Sequence, residues 1–403
     1  METAPNAATA EPYVTQHNPF AQGFALDPFP VYKELREAAP IVWLEKLGVW
    51  GVFRDQHVRE LQTDVARFTV EGGTGLQNLF RETPWREPSL VQEKDPPYHT
   101  KTRAILTRIM SPRALMALKA PFKTEADALV ARLIARETFD GVEDFSKAFV
   151  SKVFLDGVGV PPDERENVIV YNDLVRKSRT VKISEWPQED RDKAEAVASW
   201  LTKFCSRESM SPGSFGAALY DAVDAGEISE HEGNMLVRTF ISAGTETTIA
   251  AIGQTLYYLA TNPDQWAIVK ADPSKVRAAF EETLRLDPPA QFGGRCAREE
   301  MIWEGVRIGQ HDKILGFFSS ANRDPSRWDN PDEFNILRNH MGHLGLGTGI
   351  HGCVGQMIAR QEADILLRAV VEQVDRIEVG TDPQRNLSGF RGFRYLPLKF
   401  IPN

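Results

Sequence analysis

One cysteine stands in a glycine-rich segment directly before a stretch of amphipathic character. Cys353 belongs to the run LGTGIHGCVG, and apolar residues at helical spacing follow it. A thiol at a helix N-terminus faces the positive end of the helix dipole and unpaired backbone N–H groups, and both lower its pKa. A lone thiolate between glycines, which let the backbone approach something large and flat, suits an axial ligand to haem iron. The alternative is an inert structural cysteine, the commoner role of a single cysteine.

A second candidate lies in the most apolar segment of the chain. There the small residues Ala243 and Gly244 are followed by an acid and an alcohol, Glu246 and Thr247. Acidic and hydroxyl side chains disfavour a buried helix interior, so they need compensation. From the residues alone, the interpretation is a helix kink in which a threonine hydroxyl donates to a carbonyl one turn earlier.

Two further pairs have helical spacing. His99 and Arg103 are four residues apart, so they project two donors from one face of a predicted helix. Glu282 and Arg285 are three residues apart, which places a carboxylate beside a guanidinium. Taken singly, such residues are more often surface features than functional ones.

The elements that must position these residues are mostly helical. Apolar residues recur with a period of 3.6 in segments at 27–39, 100–111, 113–135, 190–206, 215–224, 234–261, 275–286 and 354–374. Strand-like patterns occur at 41–54, 291–316 and 377–402. The prediction is a mainly α fold with a small β region. Residues 1–24 are predicted to form a flexible tail and residues 25–403 a single catalytic domain.

Composition excludes several classes of protein. Lys and Arg number 47 against 56 Asp and Glu, and the net charge of −9 argues against a nucleic-acid partner. Three cysteines, Cys205, Cys296 and Cys353, are too few and too scattered for a disulfide framework or a zinc cluster. The first residues lack a signal peptide, and no apolar run is long enough to span a membrane. We therefore expect a cytoplasmic protein without a membrane partner.

Together these residues resemble the cytochrome P450 superfamily, the haem-thiolate monooxygenases, from roughly residue 27 to the C-terminus. The ligand loop of that family, Phe-x-x-Gly-x-Arg/His-x-Cys-x-Gly, is matched at Gly349, His351, Cys353 and Gly355. Leu346 replaces the usual Phe, which packs beside the sulfur and shields it. The resemblance implies the cytochrome P450 fold, haem b (iron protoporphyrin IX) as the cofactor and Cys353 as the ligand to its iron.

The resemblance also implies how oxygen and protons are handled. Ala243 and Gly244 would leave room for dioxygen over the haem. Glu246 would help to relay protons from solvent, and Thr247 would control where they arrive.

Charged residues elsewhere are assigned to haem binding and to folding. The resemblance implies that the haem propionates, which need partners when buried, are held by His99, Arg103, Arg295 and His351. It implies that Glu282 and Arg285 form a buried structural pair, with Arg338 as a candidate third member.

Weaker signals concern the substrate. Residues 85–90 and 238–242 look like the corresponding segments of a bacterial subfamily that oxidises para-substituted benzoates. By position, a substrate carboxylate would be held by Arg86, Ser89, Thr239 and Ser242. The alternative is that Arg86 lies on a solvated loop and that the hydroxyls cap helix carbonyls.

Two segments depart from that subfamily. Gly293 and Gly294 replace bulky aromatic residues, which predicts a larger pocket beside the iron. The segment 175–179 is basic instead of aromatic and apolar. It either faces water or, if it lines the pocket, favours a larger or differently placed acidic substrate.

The resulting hypothesis is a monooxygenase that hydroxylates or O-demethylates a small organic substrate, with an aromatic acid as the leading class. No segment resembles a flavin or iron–sulfur domain, so a separate ferredoxin and ferredoxin reductase are expected. Candidate docking residues are Lys101, Arg108, Arg113 and Arg360. The alternatives are a peroxide-using or non-oxygenating haem-thiolate enzyme, and a haem sensor or carrier without catalysis.

Overall fold

The computed structural model of the protein describes residues 11–386 and 389–403. Its helices are α1 (Gln22–Leu26), α2 (Phe29–Ala38), α3 (Asp55–Thr63), α4 (Tyr98–Ile109), α5 (Pro112–Ala117), α6 (Lys119–Ile134), α7 (Ala148–Val158), α8 (Arg165–Ser178), α9 (Gln188–Phe204), α10 (Phe215–Asp224), α11 (Glu230–Ala243), α12 (Glu246–Thr261), α13 (Pro263–Ala271), α14 (Val276–Leu286), α15 (Phe318–Ala321) and α16 (Gln356–Gln373). A π-helical segment, Gly141–Lys147, leads directly into α7.

The strands are short. They are β1 (Tyr13–Thr15), β2 (Val42–Leu44), β3 (Val49–Val52), β4 (Phe68–Thr69), β5 (Phe139–Asp140), β6 (Gly293–Ala297), β7 (Met301–Trp303), β8 (Val306–Ile308), β9 (Lys313–Gly316), β10 (Val374–Val379), β11 (Gln384–Arg385), β12 (Phe393–Tyr395) and β13 (Pro397–Pro402). One sheet has the strand order β1-β2-β3-β9-β6-β4, and a smaller one has the order β10-β13-β5. The pairs β11-β12 and β7-β8 complete the β part, so the predicted mainly α fold with a small β region is confirmed.

Predicted and observed helices differ in one place that matters for the site. The apolar segment 234–261 forms two helices, α11 and α12, because the helical hydrogen-bond pattern is interrupted at Gly244 and Thr245. Helix α11 begins with a capping box, in which Ser229 and Glu232 satisfy each other's backbone N–H groups. Helices α3, α7, α8 and α13 were not predicted from the sequence.

The predicted flexible tail is too long. Residues 1–10 lie outside the described residues, but Tyr13–Thr15 pairs in parallel with Val42–Leu44 and α1 begins at Gln22. The side chains of Tyr13 and Val14 are exposed. Backbone pairing at a sheet edge, which composition does not reveal, therefore orders this segment.

A buried ion pair joins the helical core to the loop before Cys353. Glu282 and Arg285 on α14 are fully buried, and Arg285 Nε donates to Glu282 Oε2 over 2.7 Å. Arg285 also donates to the carbonyls of Asn322 and Pro331, and Arg338 Nε lies 3.3 Å from Glu282 Oε1. The three charged residues assigned to folding thus meet around one carboxylate and hold the chain between α15 and α16 against α14.

Close packing continues towards the cysteine. A Cβ atom on Gly345 would lie 2.2 Å from the carbonyl oxygen of Leu284, so only glycine permits this approach. The segment that follows Gly345 therefore starts from a fixed point on α14. No helix in the described part of the chain is long and apolar enough to cross a membrane.

Candidate active site

A large cavity lies between the α11–α12 junction, strand β6 and the segment from Gly345 to Gly355. Most of the predicted site residues line it: Arg86, Arg103, Thr239, Ser242, Ala243, Gly244, Thr247, Gly293, Arg295, His351, Cys353 and Gly355. Four predicted residues lie behind its surface: Ser89, His99, Glu246 and Gly349. The fold thus gathers residues from distant segments around a single space.

Cys353 reaches the cavity from a tight turn. Its backbone N–H donates to the carbonyl of Leu346 over 2.8 Å, and α16 begins three residues later at Gln356. Gly349 has a φ of +67°, the left-handed conformation that favours glycine, so its role lies in the turn. Leu346 also lines the cavity, at the position where a Phe was expected.

Burial raises the pKa of the Cys353 thiol above its ordinary value. The N–H of Gly355 and the guanidinium groups of Arg103 and Arg360 act in the opposite direction but do not prevail. The sequence-based expectation of a lowered pKa is therefore wrong for the polypeptide alone, because desolvation outweighs the helix terminus. A coordinated metal ion supplies the positive charge that ionises such a thiol.

Donors without protein acceptors collect on one side of the cavity. Arg295 Nη1 donates only to the neighbouring carbonyl of Gly294, and the guanidinium of Arg103 has no acceptor within the described residues. His351 Nε2 is buried, has no hydrogen bond to any described residue and lies 3.7 Å from Asp95 Oδ1. Such unsatisfied donors fit a ligand that carries carboxylates.

His99 lies directly behind this group. Its ring centroid is 4.3 Å from that of His351, and neither of its ring nitrogens has a hydrogen-bond partner in the described part of the chain. Burial, together with the nearby His351 and Arg103, lowers the pKa of His99 to about 4. His99 is therefore neutral at pH 7, available as a donor without adding charge.

The α11–α12 junction forms another wall of the cavity. Thr247 Oγ1 donates to the carbonyl of Ala243 over 3.2 Å, which is the back-bond that the sequence suggested. A Cβ atom on Gly244 would lie 2.0 Å from the ring of Phe154. The missing side chain of Gly244 therefore admits Phe154, which also lines the cavity, while the backbone of Gly244 faces the open space.

One contact at this junction was not predicted. Asn172 Nδ2 on α8 donates to Thr245 Oγ1 over 3.0 Å, and both residues are buried. It ties α8 to the point at which the helical pattern is interrupted. A buried Asn offers no local sequence signal, because its partner is 73 residues away.

Glu246 lies next to Thr247 in the chain but outside the cavity lining. Burial raises the pKa of the Glu246 carboxyl above its usual range, and Arg176 and Lys147 oppose the shift while Asp173 and Glu143 reinforce it. A raised pKa enlarges the protonated fraction near neutral pH. Glu246 thus stands between a charged cluster and the hydroxyl that lines the cavity.

Arg86 lines the cavity but already has a carboxylate partner. Arg86 Nη1 lies 3.2 Å from Glu93 Oε2, and both side chains are largely buried. Although burial opposes its charge, the Glu93 carboxylate holds the pKa of Arg86 above its usual value. The structure therefore corrects two expectations, since Arg86 is neither solvated nor left with an uncompensated charge for a substrate.

The hydroxyls assigned to the substrate are also engaged. Ser89 is buried behind the lining, where its Oγ accepts from the backbone N–H of Gln92 over 3.2 Å. Thr239 Oγ1 donates to the carbonyl of Met235, and Ser242 Oγ donates to that of Thr239. Thr239 and Ser242 line the cavity with these helix bonds in place, as the alternative interpretation describes.

The glycines of β6 do not enlarge the cavity. A Cβ atom on Gly293 would lie 2.7 Å from the ring of Phe318, which also lines the cavity. A Cβ atom on Gly294 would lie 2.9 Å from the carbonyl oxygen of Gly75. The predicted enlargement is wrong, because distant segments occupy the space that aromatic side chains would have filled.

The basic segment 175–179 divides between water and the cavity. Arg176 and Lys177 form ion pairs with Asp173 and Asp190 outside the lining. Val175, Ser178 and Arg179, by contrast, line the cavity. Arg179 was not among the predicted substrate residues, and the signal that pointed to it was the basic character of this segment.

The predicted basic docking patch is largely compensated. Ion pairs with carboxylates engage three of its members: Lys101 with Glu232, Arg108 with Glu227, and Arg360 with Glu281. Arg113 is exposed and has no ion pair within the described residues. A strongly positive surface therefore does not result from these four residues.

Similar proteins establish the family. Residues 275–398 match the sequence profile described as "Cytochrome P450". The chain is 38% identical to cytochrome P450 CYP199A2 of Rhodopseudomonas palustris over 387 residues, which cover 96% of this chain and 94% of the relative. It is 29% identical to cytochrome P450 107B1 of Saccharopolyspora erythraea over 94% of this chain and 96% of the relative.

A solved structure has the same fold. Cytochrome P450 CREJ in complex with (4-ethylphenyl) dihydrogen phosphate is 27% identical, with a TM-score of 0.85, and the match covers 95% of this chain and 99% of that one. The chain therefore belongs to the cytochrome P450 family. It is a monooxygenase whose cofactor is haem b.

Proposed function

We propose that this cytochrome P450 oxidises a small organic acid, with aromatic carboxylates as the leading class, and that Cys353 is the ligand to its haem iron. The observation that supports an acidic substrate is the net charge of the lining residues that are not assigned to haem. Apart from the residues assigned to haem, the described lining carries two arginines, Arg86 and Arg179, and one acidic side chain, Glu93. Burying this imbalance is unfavourable unless an anion binds. The resemblance to enzymes that oxidise para-substituted benzoates agrees with this reading.

The residues present fit haem b. The unsatisfied donors Arg103, Arg295 and His351 would hold its propionates, with His99 supporting His351 from behind. Cys353 would supply the sulfur, and the tight turn before α16 fixes its position. When bound, haem supplies an iron centre that activates dioxygen with electrons delivered from outside the protein.

The chain's own part in the chemistry is to supply protons. Glu246 holds a proton more readily than an ordinary carboxyl because it is buried. It would pass that proton towards the hydroxyl of Thr247, which lines the cavity and is held one turn from Ala243. Charged side chains on α8 and in the π-helical segment, Arg176, Asp173 and Lys147, lie close enough to Glu246 to influence its charge. This arrangement favours an oxygen-dependent enzyme over a peroxide-using one, because direct peroxide use does not require a proton relay.

Electrons would come from a separate ferredoxin. Exposed apolar side chains flank Cys353 in sequence, Ile350 on one side and Met357 on the other. Helix α5, which bears the exposed Arg113 and Met116, is linked to α16 by the bond from Gln361 Nε2 to the carbonyl of Leu115. We therefore place the docking surface here, as an apolar patch with one basic residue. A ferredoxin-supported turnover much faster than peroxide-supported turnover would agree with this assignment.

A panel of ligands tests the substrate class. Purified holoprotein is titrated with benzoates, cinnamates and neutral phenols, and the spin state of the haem iron is followed optically. We expect acids to change the spin state at lower concentrations than their neutral analogues. If only the neutral compounds change the spectrum, the acid assignment is wrong.

A further inference from the structure

Arg179 has an unusual environment for a buried cation. It caps the C-terminal end of α8 and lines the cavity. Its Nη2 donates to the carbonyl of Phe292 over 2.9 Å, and its Cζ lies 5.2 Å from the ring centroids of both Phe292 and Phe390. Nε is buried without a hydrogen bond, and Nη1 has no acceptor within the described residues. The guanidinium is thus held by two rings and one carbonyl, with donors left over.

Arg179 is the lining arginine whose charge is neither compensated by a described carboxylate nor assigned to haem. The other arginines of the lining are accounted for, because Arg86 pairs with Glu93 and because Arg103 and Arg295 lie on the side of Cys353 and Asp95. No carboxylate of the described residues lies within ion-pair distance of Arg179. Burial lowers the pKa of Arg179 to about 10, with Glu93 opposing the shift, so the side chain stays charged at neutral pH.

The backbone of Arg179, and not its side chain, makes the packing contacts with the loop that contains Gly75. Its carbonyl accepts from the N–H of Leu76 over 2.8 Å, and a Cβ atom on Gly75 would lie 2.9 Å from its Cα. These contacts pin the loop that contains Gly75 whatever side chain occupies position 179. Packing therefore does not require a charged side chain here.

We propose that Arg179 is the specificity-determining residue that binds the acid group of the substrate, and that the substrate is a monoanion. The charge balance supports the monoanion, since Arg86 and Glu93 cancel and one positive charge remains. Nη1 of Arg179 donates to the carboxylate, and the rings of Phe292 and Phe390 lie beside it in the cavity wall. The acid is thus recognised at the end of α8 and not by the loop at residues 85–90.

This inference rests on the proposed function, because it assigns a partner to an acidic substrate. The test compares 4-ethylbenzoate with the neutral 4-ethylbenzamide in the holoenzyme. Dissociation constants are measured by the spin-state change and, independently, by calorimetry. The variants are Arg179→Met, Arg179→Gln and Arg179→Lys. Lys177→Met is the matched control, because it removes a positive charge from the same helix outside the cavity lining.

We expect Arg179→Met and Arg179→Gln to raise the Kd of 4-ethylbenzoate by about 10-fold to 100-fold, the effect of losing a charged hydrogen bond. The Kd of 4-ethylbenzamide should change by less than about threefold, since packing is retained. Arg179→Lys should keep part of the affinity for the acid, and Lys177→Met should behave as wild type. Retention of benzamide binding shows that a variant is folded, and Arg179→Gln decides the question if Arg179→Met does not fold.

The outcomes separate the two proposals. If wild-type protein binds the benzamide but neither 4-ethylbenzoate nor other acids, the proposed substrate class fails. If wild-type protein binds the acid and Arg179→Gln binds it equally well, the assignment of Arg179 is overturned while the substrate class stands. Arg86→Gln is then the variant that should lose affinity for the acid.

Discussion

Two groups of residues around the cavity differ in how their buried charge is compensated. Near Cys353, Glu282 and Arg285 form a buried ion pair, and the described residues without a hydrogen bond there include His99 and His351, where haem is expected, and the carboxyl of Glu362 on α16, whose pKa burial raises. Elsewhere in the lining, Arg86 pairs with Glu93, and no carboxylate of the described residues lies at ion-pair distance from Arg179. The informative arginine in a binding site is therefore the one whose charge the protein leaves uncompensated.

The largest expected effect concerns the buried ion pair of Glu282 and Arg285. Arg285→Met leaves the Glu282 carboxylate buried, with Arg338 and, at 3.6 Å, His340 as its remaining partners within ion-pair distance, and should destabilise the fold by about 3–5 kcal/mol. Chemical denaturation and the haem content of the purified protein measure this loss. Arg307→Met, which breaks the exposed pair with Glu300, is the control and should change neither quantity. Equal behaviour of the two variants would show that burial of the pair is unimportant.

Acidification should destabilise the fold in the same region, where Glu281 on α14 bonds to Arg360 on α16. Although burial acts against its charge, hydrogen bonds from His343 and Arg360 lower the pKa of Glu281 from 4.5 to about 2. A lowered pKa stabilises the folded state fully above the unfolded value and stops doing so as the pH falls through the folded value. This carboxylate should therefore contribute roughly 3 kcal/mol at neutral pH, lost between about pH 4.5 and pH 2. Denaturation of Glu281→Gln should show a shallower loss of stability over that range, and an unchanged slope would contradict the assignment.

At the α11–α12 junction we expect a kinetic effect and not a structural one. Thr247→Ala and Glu246→Gln should each reduce product formed per reducing equivalent, with kcat lowered by about 100-fold for a lost proton-transfer group. Substrate Kd should stay near the wild-type value. Thr261→Ala is the matched control, because Thr261 makes the same type of back-bond, to Tyr257, at the exposed end of α12. A similar loss in the control would indicate that the back-bond and not the relay is responsible.

The smallest effect is expected at Ser89. Its hydroxyl is buried behind the cavity lining and satisfies backbone N–H groups of its own loop. Ser89→Ala should therefore change the Kd of an aromatic acid by less than about twofold, in contrast to the variants of Arg179. Optical titration with 4-ethylbenzoate measures this, and a tenfold loss would move the acid site back to the loop at residues 85–90.

The same contrast explains what the sequence predicted. Each of the motifs at Cys353, Glu282 and Thr247 spans only a few residues of the chain, so its resemblance to a family motif could be recognised from the sequence. The substrate end depends on partners from distant segments. Phe318 fills the space beside Gly293, and Glu93 compensates Arg86. No local sequence pattern predicts such partners, so the size and charge of the substrate-binding part of the cavity could be seen only in the structure.

The haem–Cys353 bond is the central claim, and the spectrum of the reduced carbon monoxide adduct tests it most directly. Wild-type protein, Cys205→Ser and Cys296→Ser should all show the red-shifted Soret band of a thiolate ligand, because Cys205 and Cys296 are buried away from the cavity lining. Cys353→Ser should lose that band. Its persistence in Cys353→Ser, or its absence from haem-loaded wild-type protein, would contradict the account.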